Sequence, residues 1–244
     1  MNTTVMAVRV GDRTTLPGQL ALKRLEESGI CLPSTSSVIG RIVAELSMPS
    51  LPGATLTALQ WVTHRPVSML DTIHVESVVT RVSEGAVERH IRLLDETGEL
   101  HEEGTEIWRP EQPVAEEPAL DFCSVRWGRL LRTSLEGDPS FASSLATWDG
   151  TIGLRCGDRE LHLRVYRGQI IDITRRVPHG ATFTFVAPAQ TWVDVVLSDH
   201  DDFMRRAIGG EFSSTGDGYE YLRLTKPLNT IIGHARRIAG EARA

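Results

Sequence analysis

A run near the middle of the 244-residue chain, Arg109–Pro118, is rich in proline and glutamate and nearly free of large apolar side chains. It holds three prolines and three glutamates. Because proline lacks a backbone N–H and blocks the interior of a helix, neither a helix nor a central strand can continue through such a run. The run predicts an exposed, semi-rigid linker. We therefore expect one domain at 1–111, a linker at 112–118 and a second domain at 119–244.

The composition narrows the class of protein. No stretch approaches the roughly 18 consecutive apolar residues of a membrane span, and the N-terminus lacks the features of a secretory signal. Three scattered cysteines, Cys31, Cys123 and Cys156, favour a reducing compartment, and we interpret them as buried small hydrophobic residues. The net charge of −6 argues against nucleic-acid binding. We expect a cytoplasmic protein, and the preference for arginine over lysine is typical of a GC-rich bacterial genome.

Residue periodicity in the N-terminal half predicts one main helix and an antiparallel sheet. Apolar residues recur at one-, three- and four-residue steps over 34–47, and Ser34 or Thr35 can cap the helix that they predict. A helix followed by a meander of strands is an α+β arrangement. The predicted elements are a strand at Val5–Val10, helices at Gln19–Ser28 and Ser34–Ser47, and strands at Thr55–Thr63, Thr72–Val82, Val87–Leu94 and Glu99–Trp108.

The C-terminal half begins with an amphipathic helix, continues with strands joined by tight turns, and ends in helices. The turns are predicted at Gly157-Asp158 and Arg167-Gly168. This half is also of the α+β class. Its predicted elements are a helix at Val125–Leu135, strands at Gly150–Cys156, Glu160–Tyr166, Gln169–Thr174 and Ala181–Val186, helices at Ala189–Leu197 and Ser198–Ile208, a strand at Glu211–Ser214, and a helical tail carrying Leu222 to Ile238.

Several segments of the first half follow one another as in a known family. They are Ser36–Leu46, Leu51-Pro-Gly-Ala54, Trp61-Val-Thr-His-Arg-Pro-Val67, Leu70-Asp-Thr-Ile-His-Val75 and Glu103–Pro110. In this order they resemble a MaoC-like single hotdog domain over most of residues 5–110. The resemblance implies a sheet around a central helix, and an active site built across two copies. We therefore expect a homodimer formed through the first domain.

The second half resembles a sterol-carrier-protein-2-like (SCP2-like) lipid-binding domain over roughly 121–240. The matching segments are Trp148–Leu154, Leu163–Asp172, Ala181–Val186 leading to Trp192, and Gly209–Asp217. The resemblance implies an apolar tunnel between sheet and helices that buries acyl chains or sterols. It suggests Phe183, Phe185 and Trp192 as residues that line this tunnel.

The acid–base pair of the MaoC-like hydratases is missing. Those enzymes carry an Asp and a His on the loop before the central helix, where the two groups add water to a thioester. The corresponding stretch here, Glu27–Ser37, contains no Asp and no His. We therefore expect no ordinary hydratase activity. Thioesterases of this fold use an acidic or amide side chain near the central helix, which makes Glu45 a candidate; a solvated or partner-facing charge is its more ordinary role.

Three further groups have both a functional and an ordinary interpretation. His64 and His74 lie on neighbouring predicted strands, although strand histidines more often face solvent. The segment Ser198–Asp202 is acidic enough to suggest a metal site, but an Asp-rich helix start is the simpler interpretation, and we expect no metal and no cofactor. A basic stripe on the helix at 125–135 suits the phosphates of coenzyme A or of a carrier-protein phosphopantetheine, or else is a solvated face. This stripe consists of Arg126, Arg129 and Arg132.

Together these features predict a protein that binds an apolar ligand. The ligand would be a fatty acyl, sterol-like or polyketide chain, either free or as a thioester of coenzyme A or of a carrier protein. The alternative is an enzyme that acts on such a ligand in the hotdog cleft, as a thioesterase, a dehydratase with a relocated site, or a cyclase. A third alternative is a structural subunit that completes the site of another hotdog protein.

Overall fold

The computed structural model describes residues 8–29 and 36–244 of the chain. The chain divides into two units, Met1–Glu116 and Glu117–Ala244, which we call the N-terminal and C-terminal units. Each unit combines helices with a sheet of five described strands. The predicted α+β class is therefore confirmed.

The described residues of the N-terminal unit form one antiparallel sheet and two helices. Its strand order is β1-β3-β4-β5-β2, so β2 lies at one edge although it precedes β3 in sequence. The elements are β1 (Arg13–Pro17), α1 (Gln19–Glu27), α2 (Ser37–Ser47), β2 (Ala54–Thr63), β3 (Ile73–Ser83), β4 (Ala86–Asp95) and β5 (Leu100–Pro110).

Helix α2 packs its apolar face on the sheet and forms the centre of this unit. Ser36 caps the helix, since its hydroxyl accepts a hydrogen bond from the backbone N–H of Val38. The proposed caps Ser34 and Thr35 lie outside the described residues. Ile39 and Val43 are completely buried, because they recur at helical spacing on the side that faces the strands. Their partners in the core are Ala21, Leu22, Leu25, Ala44, Met48, Val67, Ile73, Val75, Ile91 and Leu93.

The prediction of a strand at Val5–Val10 is wrong for the residues that the structure describes. Residues 8–10 are not in a strand, and residues 5–7 lie outside the described part. A turn occupies this position, because the amide of Arg9 donates to the Asp12 carboxylate and Gly11 adopts a left-handed backbone with φ of 91°. The first strand starts after that turn, at Arg13, and pairs with β3.

The C-terminal unit is a mixed sheet with helices at its start and end. The order is β10-β9-β6-β7-β8; the β6–β9 pair is parallel and the other pairs are antiparallel. The elements are α3 (Val125–Leu135), α4 (Pro139–Ser144), β6 (Asp149–Cys156), β7 (Arg159–Tyr166), β8 (Gln169–Thr174), β9 (Phe183–Ala187), α5 (Ala189–Leu197), α6 (Phe203–Ile208), β10 (Ser213–Gly216), α7 (Gly218–Arg223) and α8 (Thr225–Arg243).

Three details of this unit differ from the sequence prediction. The helix expected from Ser198 begins only at Phe203, because Arg236 of α8 binds the Ser198 carbonyl and the chain turns away there. The strand expected at 211–214 is shifted and spans 213–216. The short helix α4 was not predicted, although Asp138 followed by Pro139 is a typical helix start. Within the described residues, no helix is long and apolar enough to cross a bilayer.

Candidate functional site

A cleft of about 500 Å³ lies between helix α2 and the edge strand β2. We call it the α2–β2 cleft. Helix α2 and strand β2 supply both apolar and polar side chains to the cleft. A combination of apolar walls with a few polar groups is typical of ligand sites. It is lined by Val38, Arg41, Ile42, Glu45, Trp61 and Thr63.

The Glu102 carboxylate is completely buried directly behind this cleft. The Trp61 indole N–H donates to one carboxylate oxygen over 2.6 Å, and the Val67 amide donates to the other over 3.3 Å. Helix α2 passes close to the carboxylate at Gly40, where a Cβ atom would overlap the Glu102 side chain. The helix can approach the sheet here because position 40 carries no side chain.

Burial raises the pKa of the Glu102 carboxyl above its ordinary value, because the charged form loses its water. The hydrogen bonds from Trp61 and Val67 offset part of this rise. Glu106, four residues further along the strand on the same face, has a different environment: its carboxylate accepts hydrogen bonds from Arg89 and Trp108, each over 2.7 Å. Among the described residues no arginine or lysine forms an ion pair with Glu102, which leaves it as the buried acidic group best suited to hold a proton.

The predicted candidate Glu45 lines the same cleft, but at its exposed side. Its side chain is 52% exposed and pairs with Arg41 over 3.3 Å, one helical turn away. Such exposed pairs contribute little to stability. The catalytic role suggested for Glu45 therefore stays a prediction, while Glu102 has the more unusual environment.

The two histidines singled out in the sequence do not share a site. Strands β5 and β4 lie between β2 and β3, so His64, which follows β2, is remote in the sheet from His74 on β3. His64 instead contacts Glu103 over 2.9 Å, and His90 contacts the other oxygen of the same carboxylate over 3.2 Å. These hydrogen bonds, above all the one from His90, lower the pKa of Glu103 to about 2.

In the C-terminal unit, Phe183, Phe185 and Trp192 are completely buried. Phe185 stacks on Phe212 with ring centroids 4.4 Å apart, and the Trp192 ring meets Phe185 edge-on at 6.1 Å. The Trp192 indole N–H donates to the Arg155 carbonyl over 2.7 Å. These contacts hold the unit together. A role of the three residues as ligand contacts stays a prediction.

A groove of about 330 Å³ in the C-terminal unit lies between α3, α4 and the start of β8; we call it the α3–β8 groove. Leu135, Phe141 and Ile170 form its buried floor, and Ile171 is 51% exposed. Of the predicted basic stripe, Arg132 lines the groove and pairs with Glu136 over 2.7 Å. The other two members, Arg126 and Arg129, are exposed on the same helix.

The acidic segment Ser198–Asp202 and the cysteines, both singled out in the sequence, make contacts within the fold. No cluster that could hold a metal ion occurs among the described residues, and Asp202 binds Arg205 and Arg206 over 2.8 Å. Cys123 and Cys156 are buried, as predicted, and lie next to each other; burial and the neighbouring thiol raise the pKa of Cys123. Cys31 lies outside the described residues.

Comparison with known proteins shows likenesses of fold. No protein-family profile and no curated sequence matches the chain. Among solved structures, a sterol carrier protein 2 is 15% identical with a TM-score of 0.41, and covers 48% of this chain and 98% of its own. An (R)-hydratase from Pseudomonas aeruginosa is 17% identical with a TM-score of 0.36, and covers 46% of this chain and 90% of its own. A MaoC-like dehydratase from Rhodospirillum rubrum is 16% identical with a TM-score of 0.33, and covers 44% of this chain and 96% of its own. Both predicted resemblances are confirmed at the level of fold, each for about half of the chain.

Glu102 was missed in the sequence, although a signal was present. Side chains alternate between the two faces of a strand, so Glu102, Gly104, Glu106 and Trp108 share one face. Trp108 marks that face as the inner one, and it is 6% exposed. Two glutamates on the face of a buried tryptophan indicate buried carboxylates.

Glu102→Gln should alter how stability depends on pH. In the unfolded chain the carboxyl titrates near 4.5, whereas in the folded protein it titrates higher. Between these values the folded state holds a proton that the unfolded state has lost, so the free energy of unfolding falls as pH rises through this window. In urea denaturation over a pH series, the wild type should lose stability relative to Glu102→Gln as pH rises through this window. The exposed Glu45→Gln is the control and should behave like the wild type; a constant difference between wild type and Glu102→Gln would contradict the prediction.

Proposed function

We propose that this protein binds an acyl chain or a similar apolar ligand, and that the α2–β2 cleft holds it. The observation that carries the proposal is the cleft itself: about 500 Å³ of space lined by Val38, Ile42 and Trp61, with the fully buried Glu102 behind it. A cavity that combines apolar walls with a perturbed titratable group is the usual form of a ligand site.

The chemistry of the walls favours an amphiphilic ligand. Burying an apolar chain against Val38, Ile42 and Trp61 contributes roughly 25 cal/mol for each Å² removed from water. The rim carries Arg41 and Thr63, which suit the polar end of a thioester or a carboxylate. A fatty acyl or polyketide chain, free or as a thioester of coenzyme A or of a carrier protein, has this combination.

Val38→Trp should weaken acyl binding. Val38 is 48% exposed in the cleft, so a larger side chain there fills the space without entering the core. We expect the dissociation constant for dodecanoyl-CoA, measured by isothermal titration calorimetry, to rise at least about 10-fold.

Ile171→Trp is the matched control, because Ile171 is 51% exposed in the α3–β8 groove. It should bind like the wild type. If Ile171→Trp loses binding and Val38→Trp does not, the ligand occupies the C-terminal unit instead. A wild-type protein without affinity for acyl-CoAs of any chain length would contradict the binding function altogether.

The environment of Glu102 favours a second candidate function, acid–base chemistry on the bound acyl thioester. A carboxyl with a raised pKa keeps its proton at a higher pH than an ordinary glutamate does, as a general acid requires. Thr63, which hydrogen-bonds Glu102, also lines the cleft and connects the carboxyl group with it.

If this candidate is right, hydration of crotonyl-CoA should fall about 100-fold or more in Glu102→Gln, since general acid–base catalysis contributes on that order. The loss of ultraviolet absorbance of the enoyl thioester measures the reaction. Glu45→Gln should keep the wild-type rate. Activity that vanishes in Glu45→Gln and survives in Glu102→Gln would assign the role to the residue suggested by the sequence.

The edge of the N-terminal sheet supports the homodimer. Among the described residues, β2 pairs only with β5, and its other edge carries unpaired backbone groups over a long strand. Val62 on this strand is 50% exposed, and Leu46 on α2 is 44% exposed. A second copy placed on this edge would pair its strand and cover these apolar side chains.

Val62→Lys should therefore shift the protein from dimer to monomer in sedimentation velocity, because a lysine on this edge strand would have to lose its water between the two copies. Leu70→Lys is the control: Leu70 is 93% exposed in the same unit but lies outside β2. A wild-type protein that sediments as a monomer would contradict the dimer.

A further inference from the structure

Three side chains from separate elements of the C-terminal unit meet in one hydrogen-bonded line. They are Ser134 near the end of α3, Asp138 at the start of α4, and His234 in the middle of α8. The Ser134 Oγ lies 2.8 Å from His234 Nδ1, and His234 Nε2 lies 2.8 Å from Asp138 Oδ2. A hydroxyl, an imidazole and a carboxylate in this order are the parts of a nucleophile, its base and the group that orients the base.

Asp138 is fixed by two different contacts. One carboxylate oxygen accepts hydrogen bonds from the amides of Ser140 and Phe141 and thereby caps α4. The other oxygen is left to face His234. The hydrogen bond from His234 holds the pKa of Asp138 below its usual range, so the carboxylate is charged at neutral pH. The imidazole is therefore held in place before any substrate arrives.

The Asp138 carboxylate defines where the proton of the neutral His234 ring lies. A charged carboxylate only accepts, so His234 Nε2 donates to it over 2.8 Å and carries the ring proton. Nδ1 of the neutral ring therefore carries no proton and can accept from the Ser134 hydroxyl. Arg237 Nη2 lies 2.9 Å from Nδ1 and donates to Ser134 Oγ. In this tautomer Nδ1 is the base, and it lies beside the Ser134 hydroxyl.

An open cavity of about 490 Å³ gives this group access to solvent. Ser134, Asp138, His234 and Arg237 all line it. Arg237 is exposed, whereas the His234 side chain is 13% exposed. A purely structural tie between three helices would need neither the cavity nor a cation placed on the hydroxyl. A nucleophile needs both, because a substrate must enter and the developing negative charge must be stabilised.

We propose that Ser134, His234 and Asp138 form a nucleophilic acyl-transfer site for esters or thioesters, with Arg237 beside the negative charge that develops on attack. Ser134 Oγ attacks the carbonyl carbon, and its proton passes to His234 Nδ1. The bond from the carbonyl carbon to the leaving oxygen or sulfur breaks, and the leaving group takes that proton. Water, deprotonated by the same nitrogen, then attacks the acyl-serine, and Ser134 recovers its proton as the acid is released. This site is independent of the α2–β2 cleft and of its ligand.

The direct test is covalent trapping of the intact protein. Diisopropyl fluorophosphate modifies serines that are activated by a neighbouring base. We expect one adduct per chain, found by mass spectrometry on the peptide that contains Ser134, and prevented by His234→Asn. An unmodified protein, or a label on another serine, would overturn the proposal; this measurement on the wild type does not depend on whether any variant folds.

Hydrolysis of p-nitrophenyl acetate gives the second test. Ser134→Ala and His234→Asn should each lower kcat about 100-fold or more. Ser143→Ala is the control, because Ser143 is exposed on α4 one turn beyond Ser140 and outside the line of contacts, and it should leave the rate unchanged. Equal hydrolysis by wild type and by folded Ser134→Ala would overturn the proposal.

Asp138→Asn separates the positioning role of this residue from its structural one. The amides at the start of α4 need an acceptor, so the amide oxygen of Asn keeps the cap and its NH₂ group must face His234. His234 Nε2 must then accept, and the proton moves to Nδ1, where it blocks proton transfer from Ser134. We expect kcat to fall about 1000-fold or more, with KM and the melting temperature close to wild type. An unchanged kcat in Asp138→Asn would overturn the assigned tautomer and with it the proposal.

Discussion

The close approach of helix α2 to its sheet at Gly40 is the contact on which the N-terminal unit depends. A side chain at position 40 would overlap the Glu102 carboxylate, so the helix would have to stand further from the strands. The short distance between α2 and the sheet has two consequences. It excludes solvent from Glu102. It also brings α2 beside β2, where a cleft that is open to solvent forms between the two elements.

The two units differ in the side chains that form their interiors. The inner face of the N-terminal sheet holds two carboxylates, of which Glu106 is neutralised by Arg89 and Glu102 is not. Breaking such a buried pair costs roughly 3–5 kcal/mol, because one charge is left uncompensated. The centre of the C-terminal unit is instead built on aromatic rings, with Phe185 in contact with several others. This unit also buries polar groups: His162 is 1% exposed and contacts Glu160 over 2.7 Å.

Much of the fold followed from local patterns. The helices at 125–135 and 189–197 begin and end where periodicity put them, and the strands at β2 to β8 differ by at most two residues. These elements are strongly periodic, and tertiary packing reinforces their local preference. The predicted start of α6 was wrong because the boundary depends on a long-range contact between Arg236 and Ser198, which local sequence patterns do not reveal.

The candidate sites were predicted less well, because each depends on a contact that is distant in sequence. Ser134 and His234 are 100 positions apart, and neither belongs to a motif. Cys123 and Cys156 have no paired spacing and yet adjoin. Glu45 was found because it lies on the main helix, whereas Glu102 was overlooked because a glutamate in a strand is ordinarily exposed. Strand alternation around Trp108 was the available signal for Glu102.

The parallel pairing of β6 with β9 has a consequence for how the chain is made. Strands β6, β7 and β8 form consecutive hairpins and can assemble as soon as they leave the ribosome. One edge of β6, however, is covered only when β9, which follows β8 in sequence, returns across the sheet. Until then a central strand presents open hydrogen-bonding groups to its surroundings. This edge of the C-terminal unit is therefore protected only once residues 183–187 have paired with β6.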